Sequence, residues 1–119
     1  MYGDRGIQQG DGRRAQRKSV ESTEPVTNVI TGQSMGRIGN ISRTGVMLIG
    51  SARPESNAVY QVILPLPWND GSTLKVEVGL QEQWFEQATS AKQYWAGYRI
   101  VAISDNDNAD LLEWLDQPD

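Results

Sequence analysis

"TLKVEVGLQ", residues 73–81, alternates without a break: Leu74, Val76, Val78 and Leu80 fall on one side, and Lys75, Glu77, Gly79 and Gln81 on the other. Successive side chains of an extended chain point to opposite faces, so this period of two describes a half-buried β-strand. Its neighbours read the same way. "NAVYQVILPLP" (57–67) is a β-rich run closed by two prolines, and "NDGS" (69–72) supplies the turn between it and the alternating strand. Upstream, "EPVTNVITG" (24–32) and "MGRIGNIS" (35–42) flank a glycine-containing turn and suggest a hairpin, and "GVMLIG" (45–50) is a short apolar run bounded by glycines. "WAGYRIVAI" (95–103) gives a last strand; the polar stretch before it, "EQATSAKQY" (86–94), fits either a long loop or a short exposed helix.

The period changes in "SDNDNADLLEWLDQPD" (104–119), where Leu111, Leu112 and Leu115 recur at helical spacing behind a cluster of acidic residues that complements a helix N-terminus. Six strands and one terminal helix predict a mainly β domain, a small antiparallel barrel or sandwich. At 119 residues the chain fits one domain with a single core. Residues 1–12 hold four glycines and little apolar surface, and are expected to form a flexible N-terminal arm ahead of a domain over 13–119.

Composition excludes several chemistries. Without cysteine there is no disulfide, thiolate nucleophile or zinc–thiolate site, and without histidine the usual general base and metal ligand are missing. No catalytic residue and no metal ligand is therefore assigned, and an enzyme is not expected. "GQSMG" (32–36) matches the nucleophile pattern G-x-S-x-G around Ser34, but in a strand-to-strand context where the pattern requires a strand-to-helix turn and a histidine partner. "DNDNAD" (105–110) begins like a calcium loop and then places Ala109 and Asp110 where a ligand and the turn glycine belong, so helix capping is the reading adopted. No apolar run reaches the length of a membrane span and the opening residues are polar, which leads us to expect a cytoplasmic protein without membrane insertion.

The charge is unevenly placed. Residues 1–53 carry eight Lys/Arg and four Asp/Glu, the remainder three and eleven. An anionic ligand is drawn to the first half, while the acidic second half argues against a nucleic-acid partner, including a single-stranded one. The basic residues concentrate in "RRAQRKS" (13–19). Among the tryptophans, Trp114 on the helix is assigned to packing, and Trp84 and Trp95 remain open between packing and a stacking surface.

Arg13 and Arg17 form an R-x-x-x-R pair, and "NISRTG" (40–45) reads N-x-S-x-x-G at the entry to "GVMLIG". Together, at this interval, they resemble the PilZ domain family, whose signature is an R-x-x-x-R segment ahead of a barrel followed by [D/N]-x-S-x-x-G. The likeness in layout covers most of the chain and includes Gly97 and Tyr98 opening the last strand; only the two motifs are specific. The resemblance implies a six-stranded antiparallel split barrel with a short C-terminal helix, and a bacterial receptor for the second messenger cyclic di-GMP. No cofactor is implied beyond that ligand. It carries over Arg13 and Arg17 as guanine and phosphate ligands, Arg14 as an assistant, Asn40 and Ser42 as polar contacts on the site floor, and Gly45 as a place of close backbone approach. Gly12, where a further arginine would help hold a second stacked molecule, points to one ligand per site. The output is an altered surface offered to an unidentified protein partner controlling motility, adhesion or exopolysaccharide. The alternative is a PilZ-like interaction module that does not bind the nucleotide.

Overall fold

A computed structural model describes residues 16–88 and 92–118. The flexible arm expected over residues 1–12, and Arg13 and Arg14, lie outside the described residues. Seven strands and one helix follow in chain order: β1 (Lys18–Ser19), β2 (Thr27–Asn28), β3 (Arg37–Ile41), β4 (Gly45–Gly50), β5 (Val59–Pro67), β6 (Thr73–Gln87), β7 (Tyr94–Ile103) and α1 (Asp105–Asp116). They form one antiparallel sheet in the order β1-β3-β4-β7-β6-β5-β2. This is a half-barrel with β1 and β2 at its edges, mainly β with a C-terminal helix as expected, but with seven strands where a six-stranded split barrel was implied.

The strand beyond the expected six is β1, made from the end of the basic segment itself. Lys18 pairs with Ile41 and Ser19 with Asn40, so the backbone of the basic entry is laid against β3. A polar sequence gives no alternation to read. What selects it is the open edge of β3, whose unpaired backbone groups need partners.

The alternation in β6 is borne out: Val76, Val78 and Leu80 are fully buried. They meet Val62, Leu64 and Leu66 of β5 and Val46 and Leu48 of β4 in one core. β6 then runs on to Gln87, and Ala88 N–H donates to the Gln93 carbonyl at 2.8 Å just before β7 begins at Tyr94. Within 86–94, Glu86 and Gln87 thus belong to β6 and Tyr94 to β7, and residues 89–91 lie outside the described residues. The register of β6 against β7 shifts between Glu82 and Trp84, so Gln83 bulges and the period of two slips by one residue. For the same reason of length, Gly97 and Tyr98 stand inside β7 rather than at its opening.

The expected hairpin over 24–42 is present in miniature. Val26 and Gly36, and Asn28 and Gln33, are joined by backbone bonds, with Gly32 and Gly36 at φ +74° and +98°, while β2 itself pairs with β5. Ser34 lies in this hairpin with its hydroxyl accepting from Gly36 N–H at 3.0 Å, as the strand-to-strand reading of "GQSMG" anticipated.

Helix α1 is capped by Ser104, whose Oγ accepts from Asp107 N–H at 3.1 Å, with Asp105 and Asp107 in the first turn. Its buried residues are Leu111 and Trp114; Leu115 packs partly against the core and Leu112 is 43% exposed. The stripe 111-114-115 follows helical geometry, which turns 112 away by about 100°. Trp114 fixes the helix end: its Nε1 donates to the Pro67 carbonyl at 2.8 Å. The last turn has no basic residue of its own, and Lys18 of β1 supplies one, Nζ donating to the Gln117 carbonyl at 2.9 Å and lying 4.4 Å from the Trp114 ring centre. No described helix is long and apolar enough to cross a membrane.

Candidate functional site

Pairing of β1 with β3 sets Arg17 one residue before the strand, opposite the bend that joins β3 to β4. Its guanidinium Nη1 donates to Asn40 Oδ1 at 2.8 Å, joining residues 23 apart in sequence. Arg17 of the first motif thus meets Asn40 of the second in one corner of the sheet. A neutral amide oxygen is a sufficient acceptor here, and it fixes one side of the guanidinium plane while Arg17 stays exposed.

Gly45 is the other wall of the corner. A Cβ built there would lie 2.8 Å from the Tyr98 carbonyl oxygen and 3.4 Å from Arg17 Nη2, so the missing side chain is what lets both β7 and the guanidinium come close. Gly45→Ala should therefore destabilise the domain by about 1–3 kcal/mol, the usual cost of overpacking. Urea denaturation followed by circular dichroism measures it, and an unchanged midpoint would remove the close-approach account.

Ser42 is placed differently from a ligand contact on an open floor. It is 1% exposed, and its Oγ accepts from Gly45 N–H at 3.2 Å and Thr44 N–H at 3.3 Å. The hydroxyl shapes the bend from inside. Arg43, at the tip of that bend, is exposed and was not singled out in the sequence, where it occupies a variable position of the motif. With Arg17 and Lys18 it lines an open groove of about 420 Å³ that runs along the end of α1 past Leu115, Asp116 and Gln117. Gln117 Oε1 in this groove is buried without a hydrogen-bond partner among the described residues.

The outer face of the sheet continues from the corner in two rows. In one, Asn40, Met47, Gly97 and Trp84 stand side by side on β3, β4, β7 and β6. The space a side chain at Gly97 would need is taken by the Trp84 indole, which lies across the strand. In the next row Gly45 is followed by Arg99 and Gln81, with Arg99 Nη2 donating to Gln81 Oε1 at 3.2 Å. Trp84 and Trp95 are 45% and 44% exposed, which decides against core packing for both. Trp114, at 2%, is core as expected. Arg99, Met47 and Trp84 escape a linear reading because only the register brings them into the rows that start at Asn40 and Gly45.

No family model matches the chain, and no curated protein matches it in sequence. Among solved structures, the inhibitor of motility MotI/DgrA of Bacillus subtilis superposes with a TM-score of 0.69 at 16% identity, over 86% of this chain and 48% of that one. MotI/DgrA has the PilZ fold. The fold of this chain is PilZ-like. At this identity the likeness concerns the fold alone, and the chain spans about half the length of MotI/DgrA. In the PilZ-like frame, Arg17 lies beside Asn40 and Gly45.

Proposed function

We propose that this chain is a non-enzymatic receptor for cyclic di-GMP in the bacterial cytoplasm, taking one ligand at the Arg17–Asn40 corner. The observation that carries the reading is the 2.8 Å bond between Arg17 Nη1 and Asn40 Oδ1, which holds a guanidinium fork ready at the sheet surface. Guanine presents O6 and N7 as adjacent acceptors, and a guanidinium offers paired donors at matching spacing. Phosphate oxygens favour the same fork, and Arg43 adds a second one beside the groove. Arg13 and Arg14 complete the set by resemblance. Met47, on the strand next to Asn40, and Trp84, three strands away with its indole lying over Gly97, offer an apolar surface for a base. Ser42 contributes through the shape of the bend. The consequence of binding is a changed surface for a protein partner, and motility, the process named for MotI/DgrA, is one candidate output.

A second reading is favoured by a separate observation. Two half-exposed tryptophans beside the partly buried Met47 and Ile49 form an outer face of the composition found at protein-binding hot spots. A PilZ-like interaction module that ignores the nucleotide would use this face. Isothermal titration with cyclic di-GMP, with GTP as control, separates the two. Saturable heat with cyclic di-GMP alone is expected; absence of heat into the high micromolar range removes the receptor reading and leaves the module.

A further inference from the structure

At the end away from the Arg17 corner, the outer face of the sheet carries a row that register alone assembles: Arg37 on β3, Ile49 on β4, Trp95 on β7 and Glu86 on β6. Their chain neighbours Ile38, Leu48 and Ala96 are buried in the core and Phe85 packs against it, so the four side chains of the row point outward. The row beside it holds Met47, and there the Trp84 indole lies over the bare backbone of Gly97. Met47 and Ile49 both reach across Gly39, where a side chain would collide with them. Two half-exposed indoles with Met47 and Ile49 thus form one apolar strip without a covering element among the described residues.

The first row carries opposite charges at its two ends. Neither Arg37 nor Glu86 has a hydrogen bond or ion pair among the described residues. Three strand spacings, roughly 14 Å, separate their backbones, so they do not pair within the chain. The order cation, apolar, apolar, anion is its own complement when reversed. A two-fold axis parallel to the strands, running between Ile49 and Trp95, sets a second copy face to face with that reversal. Arg37 then meets Glu86 of the second copy, Ile49 meets its Trp95, and both contacts recur on the other side of the axis. In the next row Met47 comes to rest on the Trp84 indole of the second copy, a sulfur–aromatic contact. A different protein would have to supply the mirrored order of charges; a second copy of this chain already has it.

Positive charge limits how far the contact runs. One row further on, Arg99 stands opposite Gly45, and the same axis would set it against Gly45 of the second copy with Arg17 beside it. Guanidiniums facing one another repel, so the copies touch over the two rows at the Trp95 end and splay apart toward the corner.

We infer that the Trp84–Trp95 end of the outer face is the contact surface of a two-fold homodimer, with Arg37 and Glu86 paired across it. This rests on the interaction-module reading of the face and gives it a partner, and it does not require nucleotide binding. Because Met47 and Trp84 belong to both surfaces, the test is made without nucleotide. Sedimentation equilibrium of the full chain over about 1–500 μM, the range in which a small, partly polar interface associates, is expected to show the mass rising toward twice that of one chain. Arg37→Glu should weaken association by about tenfold or more by opposing two carboxylates in each pair, and Glu86→Arg by opposing two guanidiniums. An equimolar mixture of the two variants should recover the parent's association to within about threefold, since both pairs of the mixed dimer are again of opposite charge. Arg37→Glu/Glu86→Arg in one chain should recover it equally, and carries the test should either single variant fold poorly. A monomer at every concentration overturns the inference and leaves the face to a different protein. Association untouched by either reversal, or a loss that neither the mixture nor the double variant recovers, overturns it as well.

Discussion

Arg17→Ala is expected to weaken cyclic di-GMP binding by ten- to a hundredfold, the equivalent of about 1–3 kcal/mol for one bidentate guanine contact. Titration calorimetry reads the loss directly. Arg17 is exposed and its side chain bonds to the half-buried Asn40 amide at the sheet surface, so the variant should keep its stability to within about 0.5 kcal/mol. Arg17→Lys sharpens the test. It keeps the charge and loses the planar fork, and an ammonium cannot satisfy two adjacent acceptors at the guanidinium spacing. Affinity close to that of Arg17→Ala would assign the effect to geometry; affinity close to the parent would reduce Arg17 to a source of positive charge. Undiminished binding by both variants would place the ligand elsewhere.

Trp114→Ala should produce the largest loss of stability in the molecule. Removing a fully buried large aromatic costs about 3–5 kcal/mol, and small domains have only about 5–15 kcal/mol in total. Three things fail together here: the packing of α1 on the core, the bond from Nε1 to the Pro67 carbonyl, and the ring against which Lys18 rests. Thermal melting should fall by roughly 10 °C or more for a domain of this size. Trp114→Phe divides the effect, since it retains most of the ring volume and leaves the Pro67 carbonyl without its donor. Leu112→Ala, two positions away at an exposed site, should barely shift the melt. Equal effects at 112 and 114 would mean that the helix is not seated by this face.

Much of the fold could be read from the chain because its core strands obey one period. Val76, Val78 and Leu80 announce their face, and Leu111 and Leu115 announce the helix stripe, although Leu112, read with them, turns outward and Trp114 takes its place. Reading stops where the period is broken or where pairing is imposed from outside. The bulge at Gln83 hides the second half of β6, and β1 is a strand only because β3 offers it an edge. The functional corner divides along the same line. Arg17, Asn40 and Gly45 were accessible through motif spacing, Arg43 sits at a variable position inside the second motif, and Arg99, Met47 and Trp84 enter through register. Ser42 shows that a motif residue can be positioned correctly and still face inward, because a short hydroxyl beside two free N–H groups is most stable closing its own turn.

The fit of the Trp84 indole over the bare backbone of Gly97 has a bearing on how this surface can change over generations. The two positions act as lock and key across neighbouring strands, so a mutation that enlarges residue 97 evicts the indole, and one that shrinks residue 84 opens a hollow above the glycine. Drift at either position alone is penalised. The aromatic face should consequently be inherited or lost as a pair.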